Sequence, residues 1–122
     1  MGVKAVFDTN ILIDHLNGFS EAKDELSHYD ERLISVITWM EVMVGTSAEN
    51  ETAVGQFLNN FRVVGLAEEI ALLGVSLRRE RRLKLPDAII YATSQAENCL
   101  LVTRNTKDFR TDFPNIRVPY EL

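Results

Sequence analysis

Short, continuously apolar segments alternate along this chain with longer segments of helical character. Five of the short segments have the composition of β-strands: Val3–Phe7, Leu33–Ile37, Arg62–Gly65, Leu100–Thr103 and Ile116–Val118. Most are apolar at successive positions, which is typical of strands covered by other elements on both faces. Strands of this kind, separated by helices, predict a three-layer α/β/α domain with a mostly parallel sheet of about five strands.

The intervening segments have the spacing of amphipathic helices. They are Ile11–Leu16, Ser20–Tyr29, a segment that begins at Thr38, Glu49–Phe61, Ala67–Leu83, and a last one from Pro86 to near Glu97. Proline suits the first turn of a helix, because backbone nitrogens make no intrahelical hydrogen bond there. Pro86 is therefore expected to open the last helix.

Length and composition favour one small domain. The 122 residues suit a single domain over residues 1–122. Cys99 is the only cysteine, so no intrachain disulfide can form and a cytoplasmic location is expected. Neither a membrane span nor a signal peptide is predicted. The net charge of −5 argues against generic binding of nucleic acid, unless acidic side chains hold metal ions or basic ones cluster.

Four acidic residues occupy related places in this pattern. Asp8 and Asp108 follow the first and fourth apolar segments. Glu41 is predicted to lie in the first turn of the helix after the second strand, and Asp87 in the first turn of the helix that begins at Pro86. The carboxyl ends of parallel strands share one edge of a sheet, where ligands bind. The four carboxylates are therefore expected to meet in one cleft.

Four carboxylates in one cleft would repel one another strongly. Either one of them takes up a proton, or a cation sits among them. Carboxylate oxygens are hard ligands that suit Mg²⁺ or Mn²⁺, and Mg²⁺ usually combines one or two carboxylates with water and phosphate oxygens. Such a site points to phosphate chemistry, in which the metal polarises the phosphoryl group and activates a water.

Each acid also has a purely structural interpretation. Asp8 can cap a turn, and Asp87 suits the positive end of a helix dipole. Glu41 completes a capping box in which Thr38 is the N-cap residue. Asp108 can support a short helix capped by Asn105. These separate roles predict no common location for the four residues, whereas a metal site does.

Four motifs carry a resemblance to a known family. They are "FDTN", "TWMEVMVG", "LPDAIIYATS" and "LLVTRNTKDF", which contain Asp8, Glu41, Asp87 and Asp108 in that order. The chain resembles the PIN-domain nucleases from Val3 to Phe109, and in particular the VapC-like toxins of toxin–antitoxin pairs. Some PIN domains carry an acid where this chain has Asn105, which leaves Asp108 as the acid of the fourth motif.

The resemblance implies a PIN-like fold and an endoribonuclease that depends on one or two Mg²⁺ or Mn²⁺ ions. It assigns the catalytic and metal-binding roles to Asp8, Glu41, Asp87 and Asp108. Supporting roles fall to Thr9, Asn10, Thr103 and Asn105. The resemblance also implies an RNA substrate, a homodimer and a cognate antitoxin that blocks the acidic site.

One basic run stands out on this acidic chain. "RRERRLK", residues 78–84, contains Arg78, Arg79, Arg81, Arg82 and Lys84. It is either a solvated helix face or a contact for the phosphate backbone of RNA.

Two other functions remain open. One is a PIN domain that binds RNA without cleaving it. The other is a phosphoacceptor receiver-like signalling module, which would need an acidic pair after the first strand and an aspartate after the third. Here Asp8 stands alone, and the third segment is followed by "LAEE".

Overall fold

The computed structural model describes residues 3–110 and 112–122. In chain order the elements are β1 Lys4–Phe7, α1 Thr9–Leu16, α2 Ser20–Ser27, β2 Glu31–Ser35, α3 Val36–Val44, α4 Glu51–Leu58, β3 Arg62–Val64, α5 Glu68–Arg81, α6 Leu85–Ala96, β4 Leu100–Val102 and β5 Ile116–Arg117. Within these residues, no helix combines the length and the apolar character needed to traverse a lipid bilayer.

The five strands form one sheet in the order β3-β2-β1-β4-β5, and every pairing is parallel. β1 lies at the centre, with Val6 beside Leu33 of β2 and Leu101 of β4. This confirms the predicted α/β class and the mostly parallel sheet. The strand order differs from that of receiver domains, in which the second strand lies at the edge and the third beside the first. The receiver-like alternative is therefore not supported by the fold.

Helices cover the two faces of the sheet. Successive side chains of a strand point to opposite faces. Val6 accordingly packs into one apolar cluster with residues of α5 and α6, such as Ile70 and Ile90. Its neighbours Ala5 and Phe7 pack into a second cluster that includes residues of α1, α2, α3 and α4. Burial on both faces explains why β1 is continuously apolar and fixes where it ends.

The second strand and the helix after it begin earlier than the sequence suggested. β2 ends at Ser35 instead of Ile37, and the Ser35 hydroxyl accepts a hydrogen bond from the backbone nitrogen of Ile37 at 3.0 Å. Ser35 is therefore the N-cap residue of α3. The capping box with Thr38 as the N-cap is wrong, and Glu41 does not lie in the first turn. The prediction for Pro86 is confirmed, since it lies in the first turn of α6.

Candidate functional site

Asp8 lies at the carboxyl end of the central strand, where the chain leaves β1 and enters α1. Its backbone nitrogen donates to Val102 O at 2.9 Å, which prolongs the pairing of β1 with β4 by one residue. Asp8 is the N-cap residue of α1, and its Oδ1 accepts from the backbone nitrogen of Thr9 at 2.7 Å. Capping does not exclude a functional role here, because each carboxylate oxygen can accept more than one partner and Oδ1 accepts only the Thr9 nitrogen.

Three donors fix the orientation of the Asp8 carboxylate, which is only 4% exposed. Besides the Thr9 nitrogen, the Thr103 hydroxyl donates to Asp8 Oδ2 at 2.7 Å and Asn10 Nδ2 donates to the same oxygen at 3.2 Å. Thr103 is fully buried and also accepts from the backbone nitrogen of Asn105 at 3.0 Å. All four residues predicted to support the site therefore belong to one hydrogen-bond network with Asp8.

Glu41 reaches this edge of the sheet from α3. The Thr9 hydroxyl donates to Glu41 Oε1 at 2.6 Å and lies 3.0 Å from the Thr38 hydroxyl. Glu41 itself is exposed, whereas Thr38 is fully buried beneath it. Thr38 therefore steadies the helix face that presents Glu41, in place of the capping role expected for it.

Asp87 and Asp108 complete the acidic edge, and both are partly buried. Asp87 lies in the first turn of α6. Asp108 lies in a turn after β4, where Asn105 Nδ2 donates to its Oδ2 at 2.9 Å and Asn105 Oδ1 accepts from its backbone nitrogen at 3.2 Å. Asn105 thus holds a turn, as its capping interpretation suggested, and it also orients the Asp108 carboxylate.

The charges of neighbouring acids affect the ionisation of Asp8 and Asp87. Burial, opposed by the hydrogen bonds from Thr103 and Thr9, raises the pKa of Asp8 to about 6, and the charges of Asp87 and Glu41 add to this increase. Burial also raises the pKa of Asp87, with further contributions from Asp108 and Glu41. In the part of the chain that the structure describes, no ion pair involves any of the four. The acidic edge therefore carries negative charge that no basic side chain of the described residues neutralises by direct contact.

This acidic edge suits a cation that keeps part of its water. Among residues 3–110 and 112–122, no three histidine, cysteine, aspartate or glutamate side chains are close enough to hold one ion together. Mg²⁺ needs only one or two protein carboxylates when water and phosphate oxygens supply its other ligands. The buried, oriented carboxylate of Asp8 and its half-buried neighbour Asp87 fit such a site through their oxygen chemistry and their mutual repulsion.

An ion pair between Arg104 and Asp14, which sequence reasoning missed, lies next to the site. Arg104 Nε and Nη2 donate to the two carboxylate oxygens of Asp14 at 2.7 and 2.9 Å, and Tyr120 also donates to Asp14 at 2.9 Å. The backbone nitrogen of Arg104 donates to Asn10 Oδ1 at 3.1 Å. The available signal was Asp14 itself, a carboxylate within the apolar helix segment "ILIDHL".

The basic run spans the junction between α5 and α6, and all five of its cationic residues are exposed. Arg78, Arg79 and Arg81 lie in the last turn of α5, and Arg82 ends that helix with a left-handed φ of 58°. Lys84 is the N-cap residue of α6, and its charge acts to lower the pKa of Asp87. The charge of Lys84 thus acts on the acidic edge.

Comparisons with known proteins find a matching family and matching folds. The model of the PIN domain family matches residues 5–114. No match is found among curated proteins. Among solved structures, a toxin-antitoxin complex from Klebsiella pneumoniae contains a chain that is 48% identical to this one. That match covers 97% of this chain and 99% of the other, with a TM-score of 0.92.

Two more distant structures share the fold. VapBC2 from Rickettsia felis, bound to a DNA fragment from its promoter, is 21% identical, and the match covers 94% of this chain and 98% of that one with a TM-score of 0.80. FitAcB from Neisseria gonorrhoeae is 19% identical, with 97% and 99% covered and a TM-score of 0.81.

Proposed function

Because the chain belongs to the PIN domain family, we propose that it is a Mg²⁺- or Mn²⁺-dependent endoribonuclease that hydrolyses phosphodiester bonds of RNA. The observation that carries this proposal is the acidic edge, where four carboxylates repel one another and no basic side chain among the described residues pairs with them. A cation relieves that repulsion, and an RNA phosphate supplies oxygen ligands that the protein does not.

The proposal gives each acid a role that follows from its surroundings. Asp8, buried and held by three donors, binds the metal directly, and Asp87 is the second direct ligand. Glu41 and Asp108 act through water, since Glu41 is exposed on α3 and Asp108 is held by Asn105 in the turn after β4. Thr9, Asn10, Thr103 and Asn105 keep these carboxylates in place.

One or two bound ions would polarise the scissile phosphoryl group and lower the pKa of the attacking water. The residues of the chain supply position and charge. The rigid Asp8 network keeps one carboxylate oxygen at a fixed place, so the site needs little rearrangement when substrate arrives.

A cleavage assay on total cellular RNA tests the proposal. We expect the pure protein to cut RNA with Mg²⁺ or Mn²⁺, to lose this activity in EDTA, and to lose it in Asp8→Asn. Asp24→Asn is the matched control, because Asp24 is an exposed aspartate of α2. Cleavage that survives both EDTA and Asp8→Asn would contradict the metal mechanism. RNA binding without cleavage under every condition would favour the non-catalytic alternative.

We further propose that the protein is the toxin of a toxin–antitoxin pair in the cytoplasm, where its RNA substrate is found. The 48% identical neighbour is part of a toxin-antitoxin complex, which supports an antitoxin partner.

A groove of about 520 Å³ between α1, α3 and α4 supports the same partner, since it is lined by apolar side chains such as Ile13 and Val54 and by Glu41. An antitoxin segment in this groove would reach the acidic edge through Glu41. Co-expression with an antitoxin that binds this chain should relieve toxicity to the host, and toxicity that such a bound partner leaves unrelieved would count against the pairing.

A homodimer is the proposed assembly. Large apolar side chains are exposed on two helices, with Val44 of α3 at 85% and Leu72 of α5 at 62%. Isolated exposed apolar residues are common, but each of these has an exposed apolar neighbour on the same helix face, Met40 in α3 and Val75 in α5, and such patches favour an interface. Light scattering during gel filtration should give twice the chain mass, and Leu72→Glu should shift it to the mass of one chain. A single-chain mass for the unmodified protein would refute the dimer.

A further inference from the structure

A basic groove lies beside the acidic edge. It has a volume of about 500 Å³, and its walls come from the end of α5 and from the chain after β4. Four cationic side chains line it: Arg81, Arg82, Lys107 and Arg110. Asp108 lines it as well, so the groove and the acidic edge share one carboxylate. Two of these cations, Lys107 and Arg110, lie outside the basic run that the sequence displays.

The groove cations are available to a ligand. The guanidinium carbon of Arg81 lies 4.5 Å from the centroid of the Phe113 ring. Stacking of this kind orders a guanidinium while its N–H edge stays open to donate. Arg81, Arg82 and Lys107 form no ion pair with the residues that the structure describes, and the pair of Arg110 with Asp112 is long, at 3.5 Å, and exposed.

The charge of the groove favours an anion. Three carboxylates, Glu80, Asp108 and Asp112, also line it, so four cations face three anions, and only Arg110 among the cations forms an ion pair with a described residue. This local excess of positive charge stands on a chain whose net charge is −5. Open grooves with several arginines and lysines bind phosphate groups through charge-assisted hydrogen bonds.

We propose that this groove binds a backbone phosphate of the RNA strand, adjacent to the phosphate that the acidic edge receives. The inference rests on the proposed function. The groove allows an acidic protein to bind a polyanion, because its cations attract the strand, which the carboxylates alone would repel. A strand is favoured over an acidic peptide because Asp108 makes the groove continuous with the acidic edge, so one ligand can occupy both.

Binding of a short fluorescein-labelled single-stranded RNA of mixed sequence tests this, measured by fluorescence anisotropy in EDTA over a series of KCl concentrations. At low salt, Arg82→Gln and Lys107→Gln should each weaken binding about fivefold, and each should lower the dependence of log affinity on log salt by about 0.7. Both residues are exposed, and glutamine adds no new strain at the left-handed position of Arg82. Unchanged melting temperatures should show that both variants fold.

Two sets of controls make the test specific to the groove. Lys23→Gln removes one exposed charge from α2, and it should leave affinity and salt dependence unchanged. Arg78→Gln and Arg79→Gln remove charge from the same helix as Arg81. Equal losses of RNA affinity in these variants and in the groove variants would show that RNA binds a diffuse basic surface instead of the groove. That result would overturn the proposal. Unchanged RNA affinity in Arg82→Gln and Lys107→Gln would also overturn it, and would leave an acidic peptide as the ligand class.

Binding in EDTA separates this inference from the proposed nuclease activity. If the groove variants lose affinity but the unmodified protein cleaves no RNA with either metal, the groove stands and the catalytic proposal fails. If the protein cleaves RNA and the groove variants bind and cleave like the unmodified protein, only the groove inference fails.

Discussion

The Thr103 hydroxyl donates a hydrogen bond of 2.7 Å to Asp8 Oδ2, although 95 positions separate the two residues in the chain. The sheet brings them together, because Phe7 of β1 pairs with Val102 of β4. Asp8 is the residue after Phe7, and Thr103 is the residue after Val102. Thr103 also accepts hydrogen bonds from Asn10 and from the backbone of Asn105. One buried hydroxyl therefore ties two strand ends to the carboxylate that we place at the metal.

Thr103→Val keeps the shape of this side chain and removes its hydrogen bonds. The free energy of unfolding should fall by about 1–3 kcal/mol, because the buried Asp8 carboxylate and the Asn105 nitrogen each lose a partner. Cleavage should fall more than stability alone explains. Urea unfolding followed by circular dichroism and the RNA assay measure the two effects. Thr103→Ser should restore both, and Thr106→Val, at an exposed position, should change neither.

Asp8→Asn should make the folded protein more stable at neutral pH in the absence of metal. Burial raises the pKa of Asp8 from 3.8 to about 6, so the folded state loses stability as the pH rises from 4 towards 6 and the buried charge forms. A difference of about 2 pKa units corresponds to about 3 kcal/mol. In Asp8→Asn the amide nitrogen would face the Asn10 donor, which offsets part of this gain. We therefore expect the free energy of unfolding to rise by about 1–2 kcal/mol.

Urea unfolding of the two proteins in EDTA, at about pH 4 and about pH 7.5, checks this pH dependence. The advantage of Asp8→Asn should appear at the higher pH and be lost at the lower one, where Asp8 is protonated in the folded state and only partly ionised in the unfolded state. Groups common to both proteins, such as Glu25, cancel in the comparison. An advantage of equal size at both pH values would show that the Asp8 carboxyl is not destabilised by ionisation.

Mg²⁺ should reverse this order of stability. A ligand that binds only the folded state stabilises it by about 2.7 kcal/mol at a concentration 100 times its dissociation constant. The melting temperature of the unmodified protein should therefore rise with Mg²⁺ or Mn²⁺ and return on addition of EDTA. Asp8→Asn should show no such rise, whereas Asp24→Asn should show all of it. Equal shifts in all three proteins would place the cation elsewhere.

Much of the fold and the acidic edge could be predicted from the sequence. The continuous apolar runs mark strands buried on both faces, and the polar residues that follow Phe7 and Val102, Asp8 and Thr103, mark the ends of β1 and β4. The start of α3 could not be predicted, because Ser35 and Thr38 are both good capping residues. The structure selects Ser35, which pairs with Val64 at the end of β2 and leaves Thr38 inside the helix.

Contacts between distant parts of the chain were also beyond the sequence. Lys107 and Arg110 join Arg81 only because the chain after β4 packs against the end of α5, where Phe113 meets the Arg81 guanidinium. Spacing along a helix or strand predicts neighbours within an element. It does not predict which loops meet in the folded molecule.

Arg104→Ala should be among the most destabilising single changes near the site. Asp14 is only 3% exposed, and without Arg104 its charge would be buried with Tyr120 as its remaining side-chain donor. Loss of one partner costs about 3–5 kcal/mol for a fully buried pair and about 1 kcal/mol or less for an exposed one. The Arg104 side chain is 34% exposed, so we expect a loss between these limits, of about 2 kcal/mol.

Arg110→Ala is the matched control for this prediction, because the pair of Arg110 with Asp112 has side chains that are 71% and 64% exposed. Urea unfolding should therefore separate two variants that each remove one arginine. Adding Asp14→Asn to Arg104→Ala should recover part of the stability, since it removes the unpaired charge. If Arg104→Ala lowers the free energy of unfolding no more than Arg110→Ala does, the ion pair with Asp14 does not stabilise the acidic edge. The position of Asn10 must then depend on the sheet alone.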